Sequence, residues 1–313
     1  MVDLVQSPFH LEFNQMIKYF TLAVFFFGTI LIFSQEPPQK KTDIDQHIDE
    51  FLMDDESLDV FMASLTNYHL IYLSVNYNSD TYFSGRDIDV DQFNIIPQIT
   101  YMHSKGIYAS VSGIYYSEFE PNWDVTTLTA GYGHGIGKKK LWRYYASYSH
   151  YFYSNSIDNL YNSTVNAGIG ISNKKRNLGT QLSMAYYFGD ELTYQLVLRS
   201  YASLKLLKNK KHYLRFRPQF SIVTGTQIVD LSGGGIQKFL LTKEEAPPAD
   251  DSILEDNVFG LINVQFNIPL QYSIGAFDAE LGFNYNIPSE LGNETDLKNT
   301  SFFNLGVAYL IDF

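Results

Sequence analysis

Arg215 and Arg217 sit two residues apart in LRFRPQF (214–220), between Leu214, Phe216 and Phe220. FDAELGF (277–283) mirrors this with carboxylates, placing Asp278 and Glu280 between Phe277, Ala279 and Leu281. In an extended chain a spacing of two puts like residues on one face. Each segment therefore has a charged row backed by an apolar row. Arg199, Lys205 and Arg143 join the same class of charges by the same parity argument. If the apolar row meets lipid, the charged row must face a lumen, because Arg or Lys against lipid at mid-depth costs about 2–4 kcal/mol. Charges so placed can sort permeating solutes by sign, with basic and acidic walls opposed across a pore. They can equally neutralise one another in a network that fills a closed barrel, since barrels of intermediate size are neither reliably filled nor reliably open.

Catalytic chemistry is harder to find. His47, His69, His103, His134, His150 and His212 are spread along the chain, and none stands in a nucleophile or metal motif. His69, His134 and His212 fall near strand ends, where an interfacial role is the ordinary one. His150 near Asp158 is the closest approach to an outer-mouth hydrolase, and it lacks a nucleophile partner in the sequence. YGHGIG (132–137) has neither the strand–loop–helix setting nor the Lys-Ser/Thr of a phosphate loop. Gly131, Gly133 and Gly135 read better as a small-residue stripe that leaves room for a plug or a bulky neighbour, as do Gly168 and Gly170. Acidic residues in 224–257 match no defined Ca²⁺ spacing. No catalytic residue, metal, cofactor or nucleic-acid surface is expected.

The elements that position these residues begin with an export signal. YFTLAVFFFGTILIF (19–33) is fifteen apolar residues after Met16-Ile17-Lys18, too short for a spanning helix of about 20 residues. It ends at Ser34 before Gln35-Glu36-Pro37-Pro38, the pattern of a signal peptide cleaved after Ser34, with Met16 as the start. A retained anchor helix is the alternative. The domain reading is thus 1–34 upstream residues and signal peptide, 35–64 periplasmic leader and acidic amphipathic helix, and 65–313 barrel. The helix, 42–64, has Thr42 as N-cap, an apolar face of Ile44, Ile48, Phe51 and Leu52, and eight acidic residues. The chain has no cysteine, so no disulfide framework exists.

From Tyr68 onward the hydrophobic period is two. VFGLINVQFNIPLQYSI (258–274) and FDAELGFNYNI (277–287) show it most clearly. Twelve such segments follow in order: 67–77, 93–103, 107–118, 125–136, 141–153, 160–171, 178–189, 191–206, 212–223, 258–273, 277–287 and 302–313. Ten-residue dyads of this kind are the signature of transmembrane β-strands. Aromatics are 16% of the chain and charged residues only 18%, against about 25% for a soluble domain. Tyr144-Tyr145, Tyr151-Phe152-Tyr153 and Tyr186-Tyr187-Phe188 fall near strand ends, as membrane girdles require.

Connections alternate between short turns carrying ten Lys/Arg and longer acidic loops, of which 224–257 is the longest at 34 residues. Short turns are periplasmic and long loops external in outer-membrane barrels. The formal charge of −12 therefore sums a basic rim and an acidic exterior. Pro97, Pro218 and Pro269 lie inside strands and predict bulges. A soluble β-sandwich would have to cover the apolar rows with a second layer.

A signal peptide ending FSQ, tyrosine-rich dyads and a last strand SFFNLGVAYLIDF (301–313) ending on Phe resemble outer-membrane β-barrel proteins of Bacteroidetes-type bacteria. VNYNSDTYFSGRD (75–87), PQITYMHSKG (97–106) and SVSGIYYSEFEPNWDVTT (110–127) are similar to an uncharacterised group of these, over nearly the whole mature chain. The resemblance implies fold and location, and no activity. It also implies a role for Phe313, Ile311 and Tyr309 as the sorting signal read by the barrel-assembly machinery.

The resulting expectation is an all-β, twelve-stranded transmembrane antiparallel barrel with a short N-terminal helix. It sits in the outer membrane of a Gram-negative bacterium among lipid and lipopolysaccharide. The first functional expectation is a small channel for polar solutes with a charged lumen. A sealed structural or partner-binding barrel is the second, and an outer-membrane hydrolase the third.

Overall fold

The computed structural model describes residues 69–88, 90–137, 140–154, 161–189, 192–209, 212–226, 259–291 and 294–312. The expected signal peptide, the helix expected at 42–64, nearly all of loop 224–257 and Phe313 lie outside the described residues.

Fourteen strand segments make a single antiparallel sheet. They are β1 (His69–Asn78), β2 (Asn94–His103), β3 (Ile107–Tyr116), β4 (Trp123–Ile136), β5 (Trp142–Tyr153), β6 (Tyr161–Ser172), β7 (Leu178–Gly189), β8 (Leu192–Ala202), β9 (Leu204–Lys208), β10 (His212–Phe216), β11 (Gln219–Gly225), β12 (Gly260–Ile274), β13 (Phe277–Pro288) and β14 (Thr300–Asp312). β8 and β9 are one strand interrupted at Ser203, and β10 and β11 are one strand interrupted at Arg217-Pro218. Counted so, the barrel has the twelve positions that the dyads predict. It closes on itself, because β14 pairs with both β13 and β1, while β11 pairs with both β8 and β12. Among the described residues this closure leaves only one edge of the short β9 without a strand partner, and pairing around the ring is the condition for crossing a membrane with strands.

Each strand separates its two rows as the periodicity requires. On β14, Phe303, Leu305, Tyr309 and Ile311 are exposed, whereas Asn304, Ala308 and Leu310 between them are buried. On β13, Leu281, Tyr285 and Ile287 face outward, with Asp278, Glu280, Asn284 and Asn286 turned in. An exposed belt of Leu, Ile, Val and aromatic side chains around a polar interior is the inverse of a soluble domain. It is the surface of a barrel immersed in lipid.

The prolines do less damage than expected. Pro97 faces Val75 in an unbroken β1–β2 ladder, and on its other edge the β2–β3 pairing lapses between Ile95 and Gln98 without changing register. Pro218 and Pro269 meet at one seam, where Arg217 N–H donates to Pro269 C=O at 3.2 Å. Neither proline causes a register shift between β10–β11 and β12. The shift in this region lies across the hairpin, between Leu214 and Arg215 as they pair with β9. Bulges also occur between Ile114 and Tyr115, between Tyr161 and Ser163, and between Val223 and Thr224. No proline occupies any of them.

Candidate functional site: the barrel lumen

Arg143, Arg215, Arg217, Asp278 and Glu280 are all buried on inward rows. Arg199 is half-buried, and its Nε donates to Ser221 Oγ at 3.0 Å. Lys205 pairs with Arg215 in register but is exposed near the end of its strand.

Their azimuth around the barrel differs from the expectation of opposed walls. Lys205, Arg215, Gln271 and Glu280 follow one another along a single row of paired residues on β9, β10, β12 and β13. The cations and the carboxylates are therefore side by side, joined through an amide. Arg215 Nε and Nη2 donate to Gln271 Oε1 at 3.2 and 3.1 Å. Gln271 Nε2 in turn donates to Glu280 Oε2. Asn304 Nδ2 closes on Glu280 Oε1 at 3.2 Å, and Ser273 Oγ donates to Asp278 Oδ1 at 2.6 Å. Arg217 lies with its guanidinium 3.9 Å from the centre of the Tyr201 ring, within cation–π range. Only Arg143, on β5, stands well away from this sector.

The network continues as an amide ladder toward the long-loop end. Asn284 Nδ2 donates to Asn304 Oδ1 at 2.8 Å, and Asn267 Nδ2 to Asn284 Oδ1 at 2.6 Å. Further along, Asn263 Nδ2 donates to Asn286 Oδ1 at 3.1 Å, and Asn286 Nδ2 to Thr300 Oγ1 at 3.2 Å. Each amide offers two donors and one carbonyl oxygen, so the row links strand to strand while presenting polar atoms inward, and among the described residues Asn263 Oδ1 and Asn267 Oδ1 accept no hydrogen bond. No sequence motif marks these asparagines. Their signal is the period of two itself, because they fill the inward positions of β12, β13 and β14.

The facing wall is different in kind. Ile96, Ile114, Tyr116, Val125, Tyr151, Tyr161, Ala185 and Tyr187 form a buried apolar cluster spread over β2 to β7, with Phe119 and Tyr153 against it. Nearer the short turns, Tyr108 lies over Gly131, Tyr145 over Gly168 and Tyr201 over Gly179. A Cβ at any of these three glycines would fall within 2.5 Å of the ring. Of the glycine stripe, Gly131 and Gly168 thus hold bulky side chains from neighbouring strands.

The long-loop end carries a feature that sequence reasoning missed. Residues 79–88 leave β1 and turn back at Phe83 and Arg86, which exchange backbone hydrogen bonds of 3.0 and 2.9 Å. Burial and then the Asp80 carboxylate, which accepts its hydroxyl proton at 2.6 Å, push the Tyr82 phenol well above the ordinary tyrosine range. Arg86 is buried and forms a bidentate pair with Glu294, at 2.7 Å from Nε and 2.8 Å from Nη2.

The outer-mouth hydrolase gains one partner. His150 Nδ1 lies 3.0 Å from Ser163 Oγ, on the outward face. Ser163 is only 3% exposed, and its hydroxyl also meets Tyr148 OH at 3.1 Å and Asn162 Oδ1 at 2.9 Å. A hydroxyl enclosed by three partners has no approach for a substrate. His150 also packs edge-on against Phe152, as part of the aromatic belt. His69 and His212 do likewise at the other rim, hydrogen-bonded to Tyr101 and Tyr272.

No protein-family model and no curated protein matches the chain. Some solved structures do, at low identity. The KdgM porin is 9% identical, with 77% of this chain and 98% of that one covered at a TM-score of 0.42. The COG4313 outer membrane channel from Pseudomonas putida F1 is 12% identical, with 79% and 97% covered at 0.43. The NanC porin is 10% identical, with 76% and 98% covered at 0.41. The lumen's chemistry is argued from its own residues.

Proposed function

We propose that the chain is an outer-membrane channel of a Gram-negative bacterium, passing small polar solutes through a charged lumen. The observation that carries this reading is the hydrogen-bonded inward wall of β10 to β14, running from Arg215 through Gln271 and Glu280 to Asn304, Asn284 and Asn267. A closed barrel can bury its interior with apolar side chains at no polar cost. Lining one wall with amides and ions instead suits a path that water and polar solutes share. An enzyme reading has no comparable support.

Single-channel recording in planar bilayers tests the proposal. Discrete conductance steps are expected. Asp278→Asn with Glu280→Gln should shift the reversal potential in a salt gradient toward anion selectivity, because the neighbouring arginines then dominate the wall. Silence under all conditions would end the channel reading.

A sealed structural or partner-binding barrel is the second reading, favoured by the apolar cluster across β2 to β7. The acidic segment 42–64 bears on both. Its eight carboxylates complement the Lys/Arg of the short turns, and we place it across that periplasmic mouth or within the lumen. A disulfide between Asp55→Cys and Lys139→Cys should form in membranes, and its absence under oxidant would sink this placement.

We also assign Phe313, Ile311 and Tyr309 to recognition by the barrel-assembly machinery, supported by the outward apolar row that Tyr309 and Ile311 continue on β14. Lipid and lipopolysaccharide are the surroundings this implies. The quoted stretches in 75–127 favour a source among Bacteroidetes-type bacteria.

A further inference from the structure

Segment 79–88 does not project from the barrel. From its position after β1, Arg86 reaches past β14 and β13 to β12, where Nη1 donates to Ile262 C=O at 3.2 Å. That spans three inter-strand intervals, about 14 Å at 4.7–4.9 Å each. Nη2 also donates to Ser289 C=O at 2.8 Å. At the tip of the turn, Thr300 Oγ1 donates to Gly85 C=O at 2.7 Å, and Gly85 is pressed against the Asn263 side chain. The loop therefore lies over the β12–β14 wall at the long-loop end.

The receiving side is built to hold it. Glu294 Oε2 accepts from Leu291 N–H at 2.9 Å as well as from Arg86, so the carboxylate is oriented before the arginine arrives. Leu291 itself packs on the buried cluster of Val197, Val223 and Ile262, which ties the receiving loop to β8, β11 and β12. The turn is also conformationally committed. Ser84 has φ 48° and Gly85 φ 85°, successive left-handed residues, and Ser84 carries a Cβ that disfavours that region. A strained turn persists where its surroundings over-determine it.

We propose that segment 79–88 is a lid latched over the outer end of the lumen, with Arg86–Glu294 as the latch. The fork geometry of a guanidinium on a carboxylate gives the latch its direction, and burial of Arg86 shields it from screening by salt. Releasing the pair would leave a buried guanidinium without its counter-charge, so the loop would lift to hydrate it.

The lid's effect on current rests on the channel reading, but its position can be measured without any current. The chain has no cysteine, so one introduced thiol reports alone. Asn286→Cys places that thiol beside Thr300 under the lid, at a residue only 2% exposed. Labelling by a membrane-impermeant maleimide, in the purified full-length barrel in liposomes, is compared with and without Glu294→Gln or Arg86→Gln. We expect labelling to accelerate by about tenfold or more when the charge pair is broken. Equal rates in both variants would overturn the latch. Glu294→Asp, which shortens the carboxylate arm by one methylene, serves should either variant fail to assemble. Faster labelling together with larger conductance steps supports lid and channel alike. Faster labelling from a barrel that never conducts keeps the lid and removes the channel.

Discussion

The inward tyrosines and the glycines beneath them form matched sets. A Cβ on Gly131 would sit 2.3 Å from the Tyr108 ring, so a side chain there must expel the ring or move a strand. On Gly170 a Cβ would meet only Thr180 C=O at 3.5 Å and the Gln181 side chain, an ordinary contact. Gly131→Val is thus expected to destabilise the barrel by about 1–3 kcal/mol, the usual cost of overpacking. Gly170→Ala should be close to neutral. Urea unfolding from lipid vesicles measures both, and Tyr108→Ala in the Gly131→Val background should recover part of the loss. The sequence shows the glycine stripe as room for something. It does not show which ring fills the room, because the partner is set by register with another strand.

Strands themselves were legible because their requirement is local. A residue's parity decides which solvent it meets, and β13 displays this without exception from Leu281 to Ile287. Leu281 is 56% exposed on the outward row, with Glu280 buried beside it. Leu281→Arg should cost about 2–4 kcal/mol if that position lies near mid-membrane. Asn284→Arg, on the inward row of the same strand, should cost much less, and folding yield into vesicles across a urea series would reveal the gap. A similar cost for both would mean the rows are wrongly assigned.

Irregularities were less legible. A proline removes one donor, yet Pro269 still accepts from Arg217 N–H and Pro218 from Ala202 N–H on the other edge, so each keeps its place in the ladder without an extra residue. The expectation of opposed charged walls failed for a different reason. Parity gives inside or outside but not the angle around the barrel. In a sequential meander, strands bearing Arg215 and Glu280 are separated only by β12, and that adjacency was available from the strand order alone.

At the scale of the whole molecule, twelve positions, closure and a polar interior followed from period and turn alternation. The latched loop did not, because its contacts join residues 208 apart in sequence with no local pattern to announce them. Phe83, Arg86 and Glu294 are unremarkable in their own neighbourhoods and acquire meaning only when β1 and β14 are brought together. That same pairing constrains the order of events during folding. β1 finds its second neighbour only after β14 has been made, and Arg86 finds Glu294, Ser289 and Ile262 only after the distal hairpins are in place. Contacts of such high sequence separation carry the largest loop-closure entropy and form late. The first loop to leave the ribosome is then the last to settle, and a barrel caught before that moment has an uncovered mouth.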